Sequence, residues 1–153
     1  MGPKPWASGS SNYPMLSRTA THALRALIVL AGMPQTEFAG AAMIASRIGA
    51  PQNYMGKLLQ LLAREGVVAS QRGHGGGFRL ARSPDAISLY DIVEPIDKVS
   101  RQSHCLLGQM LCGAPSVCTV HDDWTHIVEA YLGFLKRTTL ARLLPPRKNP
   151  ERT

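Results

Sequence analysis

Two clusters of helix breakers constrain this chain more than anything else in it. Gly49-Ala50-Pro51 separates two amphipathic stretches, and Gly73, Gly75, Gly76 and Gly77 crowd into one later turn. Before the first break, Ala42, Ile44, Ala45 and Ile48 share one face of a helix predicted over about Ala39 to Ile48. After it, Met55, Leu58, Leu59, Leu61 and Leu62 mark a helix over about Gln52 to Glu65, which Gly66 stops. Helices joined by so short a turn make a helix-turn-helix, although any helical hairpin reads the same way. The glycine turn divides two β-prone segments, Val67-Val68-Ala69-Ser70 and Phe78-Arg79-Leu80-Ala81, so a β-hairpin follows at once. That order predicts a mainly α chain with a small β-hairpin wing, a winged helix-turn-helix.

The flanks fit the same plan. Ala20, Ala23, Leu24, Leu27, Ile28 and Ala31 recur at helical spacing from Leu16 onward, with Ser17 to cap the start and Gly32 and Pro34 to end it. Ile87 to Val93 reads as a short helix with Ser88 as its cap. A long last helix is predicted from about Asp122 to Leu140. Trp124, Ile127, Val128, Tyr131 and Leu135 mark its apolar face, with Phe134 and Thr138 beside it. Such a stripe needs a partner, and the same helix of a second subunit supplies one. The chain therefore divides into a winged-helix domain over 15–98, a ligand loop over 99–121 and a dimerisation helix over 122–144. Residues 1–14 read as a disordered extension or an expression remnant, and 145–153 as a basic disordered tail.

A length of 153 residues and 44% hydrophobic content suit one domain with a real core. The net charge of +7 survives discounting the tails as a basic excess, and it favours an acidic partner, nucleic acid first. No apolar run approaches the roughly 18 residues of a membrane span, and no signal peptide is evident. Three cysteines without a secretion signal argue for a reducing cytoplasm over a disulfide framework. No nucleophile–base pair points to an enzyme.

The second helix of the pair carries a polar face suited to a DNA groove. Gln52, Asn53, Tyr54 and Lys57 stand near its start, where such helices read base edges in the major groove, and Gln60 and Arg64 lie further along. In the wing, SQRGHGGGFRLAR, Arg72 stands at the entry to the tip, in position for a minor groove. His74 reads as a DNA or solvent contact, and Arg79 and Arg82 as phosphate contacts. Arg18 and Thr19 add phosphate contacts from the first helix. The glycines do not make a nucleotide-binding loop, because no Lys-Ser or Lys-Thr follows and the run leads into a strand.

All three cysteines, Cys105, Cys112 and Cys118, fall in one stretch, HCLLGQMLCGAPSVCTVHDDW, followed by His121. Three thiolates and an imidazole on a Gly/Pro-containing loop suit an iron–sulfur cluster, or zinc. Direct oxidation of metal-free cysteines is a further reading, and an iron–sulfur electron carrier another. His104 is a rival ligand.

The segments LSRTATHALRAL, NYMGKLLQLLAREGVV and QRGHGGGFRLAR, with the loop ending CTVHDDW, resemble the Rrf2 family of bacterial winged-helix regulators, with its IscR, NsrR and RirA types, over about Met15 to Leu144. The resemblance implies a homodimer on palindromic double-stranded DNA and an iron–sulfur cluster, 2Fe–2S in preference to 4Fe–4S. IscR-type members take their fourth ligand three residues after the last cysteine, which is His121 here. The NsrR-type aspartate of the first helix is missing, since Thr21 and His22 stand there. Arg72 matches the family wing arginine, and an acidic residue of IscR-type members falls on Gly56. Six residues separate Cys105 from Cys112, one more than usual in the family.

Overall fold

The computed structural model describes residues 15–101, 106 and 119–146. It is mainly helical with one two-stranded antiparallel hairpin: α1 Arg18–Ala31, α2 Ala41–Ile48, α3 Gln52–Arg64, β1 Val68–Gln71, β2 Gly77–Leu80, α4 Leu89–Asp97 and α5 His121–Arg137. Short 3-10 turns lie at Pro84–Ala86 and Leu140–Leu143. The expected residues 1–14 extension lies outside the described residues, as does the 145–153 tail beyond Pro146.

Side-chain caps and glycines set the boundaries. The Ser17 hydroxyl accepts from the Ala20 amide at 3.0 Å and opens α1. Gly49 ends α2 at φ 70° and Gly66 follows α3 at φ 75°. Ser88 and Asp91 form a reciprocal capping box at the head of α4, each side chain accepting from the other's amide at 3.1 and 3.0 Å. This helix runs past Val93, where the sequence suggested its end. Pro95 removes one N–H from its ladder, and Lys98 closes it at φ 51°.

Ala39, expected inside α2, instead pairs with Phe78 of the wing. Each amide donates to the other's carbonyl at 2.8 Å. A long-range bridge therefore takes Ala39 despite its high helix propensity, and α2 begins at Ala41. The approach is close: a Cβ on Gly77, which sits at φ 140°, would lie 2.3 Å from the Ala39 carbonyl oxygen.

The core gathers Leu27, Ile44, Met55, Leu59, Leu62, Val67, Ile87 and Ile92, all fully buried. A smaller cluster of Ala20, Leu89, Val93, Val99 and Leu135 docks α5 on α4 and on the head of α1. There the Ser17 amide and hydroxyl both donate to the Asp97 carboxylate, the amide at 2.8 Å. Just beyond α4, the Ser100 amide and hydroxyl donate to Glu94 at 2.9 and 2.5 Å, closing the turn from which the cysteine loop departs.

The last helix is shorter than the 122–144 expectation. It ends at Arg137, because Thr138 turns extended and its carbonyl accepts from the Leu89 amide at 2.8 Å. Thr139 bridges Ser88, and Leu140, fully buried, enters the main core. The Leu140 amide donates to the Ile87 carbonyl at 2.8 Å. On α5 itself Leu135 and Tyr131 pack inward, whereas Ile127 is 58% and Phe134 48% exposed.

Candidate nucleic-acid interface

Asn53, Lys57, Gln60 and Arg64 recur at helical spacing on α3, and all are exposed, as is Gln52. The opposite face buries Met55, Leu58, Leu59 and Leu62, so burial of the apolar face is what turns the polar one outward. A groove between α3 and the wing is floored by Gly56, Leu61 and Phe78, with Asn53, Lys57 and Arg64 on its wall. It continues across Gln60 and Arg64 to Gln71 and Arg72. A further hollow joins Arg18, Thr19 and His22 of α1 to Pro51 and Tyr54 at the start of α3. No carboxylate lines any of these three hollows among the described residues. Four cations and no anion make this surface attractive to a polyanion.

The wing tip needs its glycines. Gly73 and Gly75 sit at φ 93° and 73°, and a Cβ on Gly76 would lie 2.3 Å from the Gln71 carbonyl oxygen. The tip is thereby held as a thin turn with Arg72 and His74 exposed on it. At the other edge, α3 starts at Pro51 without a side-chain cap, so its first amides are open to an anion.

Three predicted contact residues hold other positions. Tyr54 is half-buried, and its hydroxyl lies 2.6 Å from Nδ1 of His22, with the rings 5.6 Å apart and tilted by 55°. Burial raises the Tyr54 phenol above its ordinary pKa. The His22 imidazole lies below its own, through burial first and then the nearby Arg25 and Arg18. Arg79 turns away from the groove: its guanidinium lies 4.6 Å from the Phe38 ring centroid and donates to the Gln35 carbonyl at 3.3 Å. Arg82 likewise donates to the Ala86 carbonyl at 3.0 Å and pairs with Asp91 at 3.6 Å. Sequence reasoning passed over the His22 contact. Arg18, His22 and Arg25 do share one flank of α1 at helical spacing, which is the signal that could have found it.

Cys105, Cys112, Cys118 and the rival His104 lie outside the described residues. Among the described residues no cluster of three or more His, Cys, Asp or Glu side chains is placed to hold a metal. His121 opens α5 and is half-buried, and His126 is exposed further along. No helix among them is long and apolar enough to cross a membrane.

Comparison with known proteins gives this surface its context. A profile of the Rrf2 family, described as an iron-dependent transcriptional regulator, matches residues 16–146. A relative from Aquifex aeolicus (strain VF5), named as a putative HTH-type transcriptional regulator, is 33% identical over 132 residues, 85% of this chain and 91% of its own length. The structure of CymR, described as the global cysteine regulator of B. subtilis, superposes with a TM-score of 0.69 at 24% identity over 86% of this chain and 96% of that one. IscR of T. potens does so with a TM-score of 0.68 at 24% identity over 88% of each. At these identities the solved structures show the shared winged-helix fold. An exposed polar helix, a glycine-built wing and a cationic groove on that fold complete the assignment: the chain belongs to the Rrf2 family, a DNA-binding transcriptional regulator and not an enzyme.

Proposed function

We propose that this regulator is a homodimer on palindromic double-stranded DNA in a reducing cytoplasm. It senses redox state, iron or nitric oxide through an iron–sulfur cluster held by Cys105, Cys112, Cys118 and His121. The donor set carries the reading. Three thiolates and one imidazole suit a cluster, and the long gaps between the cysteines suit structural zinc less well, since its ligands more often come in close pairs. The head of α5 fits the same group. His121 stands in its first turn, and one turn on the buried Nε1 of Trp124 has no acceptor among the described residues. Thiolate and sulfide are acceptors that a cluster site supplies. When bound, the cluster would add a centre that oxidants and nitric oxide can alter. An imidazole ligand would make it more labile than a fourth thiolate and tie its occupancy to pH.

Dimerisation is supported by α5. Val120, Ile127 and Phe134 follow one another at seven-residue intervals, each exposed by 41% or more. Asp122 and Asp123 open the helix and Lys136 and Arg137 close it, so an antiparallel pair matches charge as well as apolar surface. On the DNA side, Gln52, Asn53 and Lys57 read bases, Arg72 and His74 serve the wing, and Arg18 and Thr19 hold phosphates.

Anaerobic absorption spectroscopy with iron and sulfide counts tests the cluster. Wild-type protein is expected to be coloured, and His121→Ala to shift or lose the spectrum while Arg72→Ala loses DNA binding alone. Colourless protein carrying zinc without sulfide would replace the cluster by zinc. Light scattering tests the dimer: Ile127→Glu with Phe134→Glu is expected to yield monomers, and an unchanged mass would remove α5 as the interface.

A further inference from the structure

We infer that His22 is a positioning residue for the DNA-reading helix: its hydrogen bond to Tyr54 fixes the entry of α3 against α1 and so sets operator selectivity. This rests on α3 being the base-reading element.

The buried face of Met55, Leu58, Leu59 and Leu62 sets the coarse rotation of α3, and its first turns have few other features to fix the fine rotation. Pro51 gives them no side-chain cap. Gly56 faces α2 without a side chain, and even a Cβ there would only reach contact with the Cβ of Ala41, at 4.0 Å. Met55 plugs into the core, but an unbranched thioether adapts to small rotations. The polar latch is different. At 2.6 Å the Tyr54 hydroxyl and Nδ1 of His22 have a narrow range of allowed geometry. We assign the phenol as donor and the neutral ring as acceptor at Nδ1, the tautomer that carries its proton on Nε2. Burial and the flanking Arg18 and Arg25 favour that neutral ring.

Tyr54 lies between Asn53 and the turn that carries Lys57, so its tether is local to the side chains that face the groove. Side-chain ends lie about 5–6 Å from a helix axis, so a rotation of about 10° moves them by about 1 Å. That exceeds the distance window of a good base-edge hydrogen bond, about 0.5 Å. Phosphate contacts from long flexible cations tolerate the same shift. Loss of the latch should therefore lower selectivity and spare general DNA affinity.

The test uses full-length protein and a duplex selected by the wild type from a random-sequence pool. Fluorescence anisotropy compares that duplex with a scrambled one at several salt concentrations. Tyr54→Phe and His22→Leu are each expected to reduce the preference for the selected duplex by about 5–10-fold. Scrambled-duplex affinity and its salt slope should hold, because the phosphate-facing cations remain. The double variant should lose no more than either single one. His22→Asn should recover most of the preference, since its Oδ1 can accept in place of Nδ1. Tyr54→Phe keeps the ring and carries the test should His22→Leu fail to fold. An unchanged preference in Tyr54→Phe, equal losses on both duplexes, or losses that multiply in the double variant would overturn the inference. Lys57→Ala reports separately on α3: if it leaves the preference intact, α3 is not the reader, whatever the other variants do.

Discussion

Replacing Gly77 with alanine measures how firmly the wing is joined to the α1–α2 connection. The new Cβ would lie 2.3 Å from the Ala39 carbonyl oxygen, 2.5 Å from its carbon and 2.9 Å from the Gly40 nitrogen. All three are backbone atoms, so no side chain can swing aside, and the strand must retreat by about 1 Å to reach ordinary contact. That breaks both hydrogen bonds between Ala39 and Phe78, each 2.8 Å long. At about 1 kcal/mol net per bond the loss is about 2 kcal/mol. A φ of 140° adds about 1–3 kcal/mol for any residue with a side chain. The total, about 3–5 kcal/mol, is a large share of the roughly 5–15 kcal/mol that holds such a domain folded. Gly75→Ala is the control, for it has a positive φ of 73° but open space around its Cβ. Its cost is the left-handed conformation alone, about 1–2 kcal/mol. Urea denaturation followed by circular dichroism compares the two. If Gly77→Ala cost no more than Gly75→Ala, the bridge to Ala39 would not be what makes this glycine necessary.

Leu140→Ala should cost about 2–5 kcal/mol by emptying a fully buried site, and a melting temperature within a degree of wild type would show that this segment does not plug the core. Gly56→Ala should stabilise the protein by about 0.5–1 kcal/mol, since its Cβ meets only Ala41 at 4.0 Å and alanine favours the helix; a lower midpoint in urea would contradict this. The pH dependence has a definite sign. The folded pKa of His22 lies below its unfolded value, held there by burial and by Arg25 and Arg18, with the Tyr54 hydroxyl also facing the ring. This contribution to stability is present above about pH 6.5 and is lost as pH falls through the lowered folded value. Wild-type protein should therefore lose more melting temperature between about pH 7.5 and 5.5 than His22→Asn, and equal losses would contradict it.

What the chain announces locally, it also builds. Ser17, Gly49, Gly66 and Ser88 punctuate the structure where their chemistry suggested, because capping and left-handed turns are decided within a few residues. The exposed stripe of Asn53, Lys57, Gln60 and Arg64 is the complement of the buried leucines, so it too was legible. Most of the differences come from distant partners. Ala39 left its helix for Phe78, Thr138 left its own for Leu89, Arg79 turned to Phe38, and Tyr54 to His22. Each of these pairings joins residues at least 32 positions apart, and of the four the His22 contact alone leaves a periodic trace, in the spacing of Arg18, His22 and Arg25 along α1.

The order in which the chain leaves the ribosome gives the return of Leu140 another meaning. The α1 helix ends at Ala31, 109 positions earlier, yet the core it shares with α2 and α3 stays open until Leu140 arrives. A nascent chain that reaches only to the end of α4 lacks the side chain that fills this apolar site and the amide that donates to the Ile87 carbonyl. The reading surface therefore reaches full stability only after the cysteine stretch and α5 have been synthesised. Chain order thus places the last residue of the main core after the elements proposed to govern the reading surface.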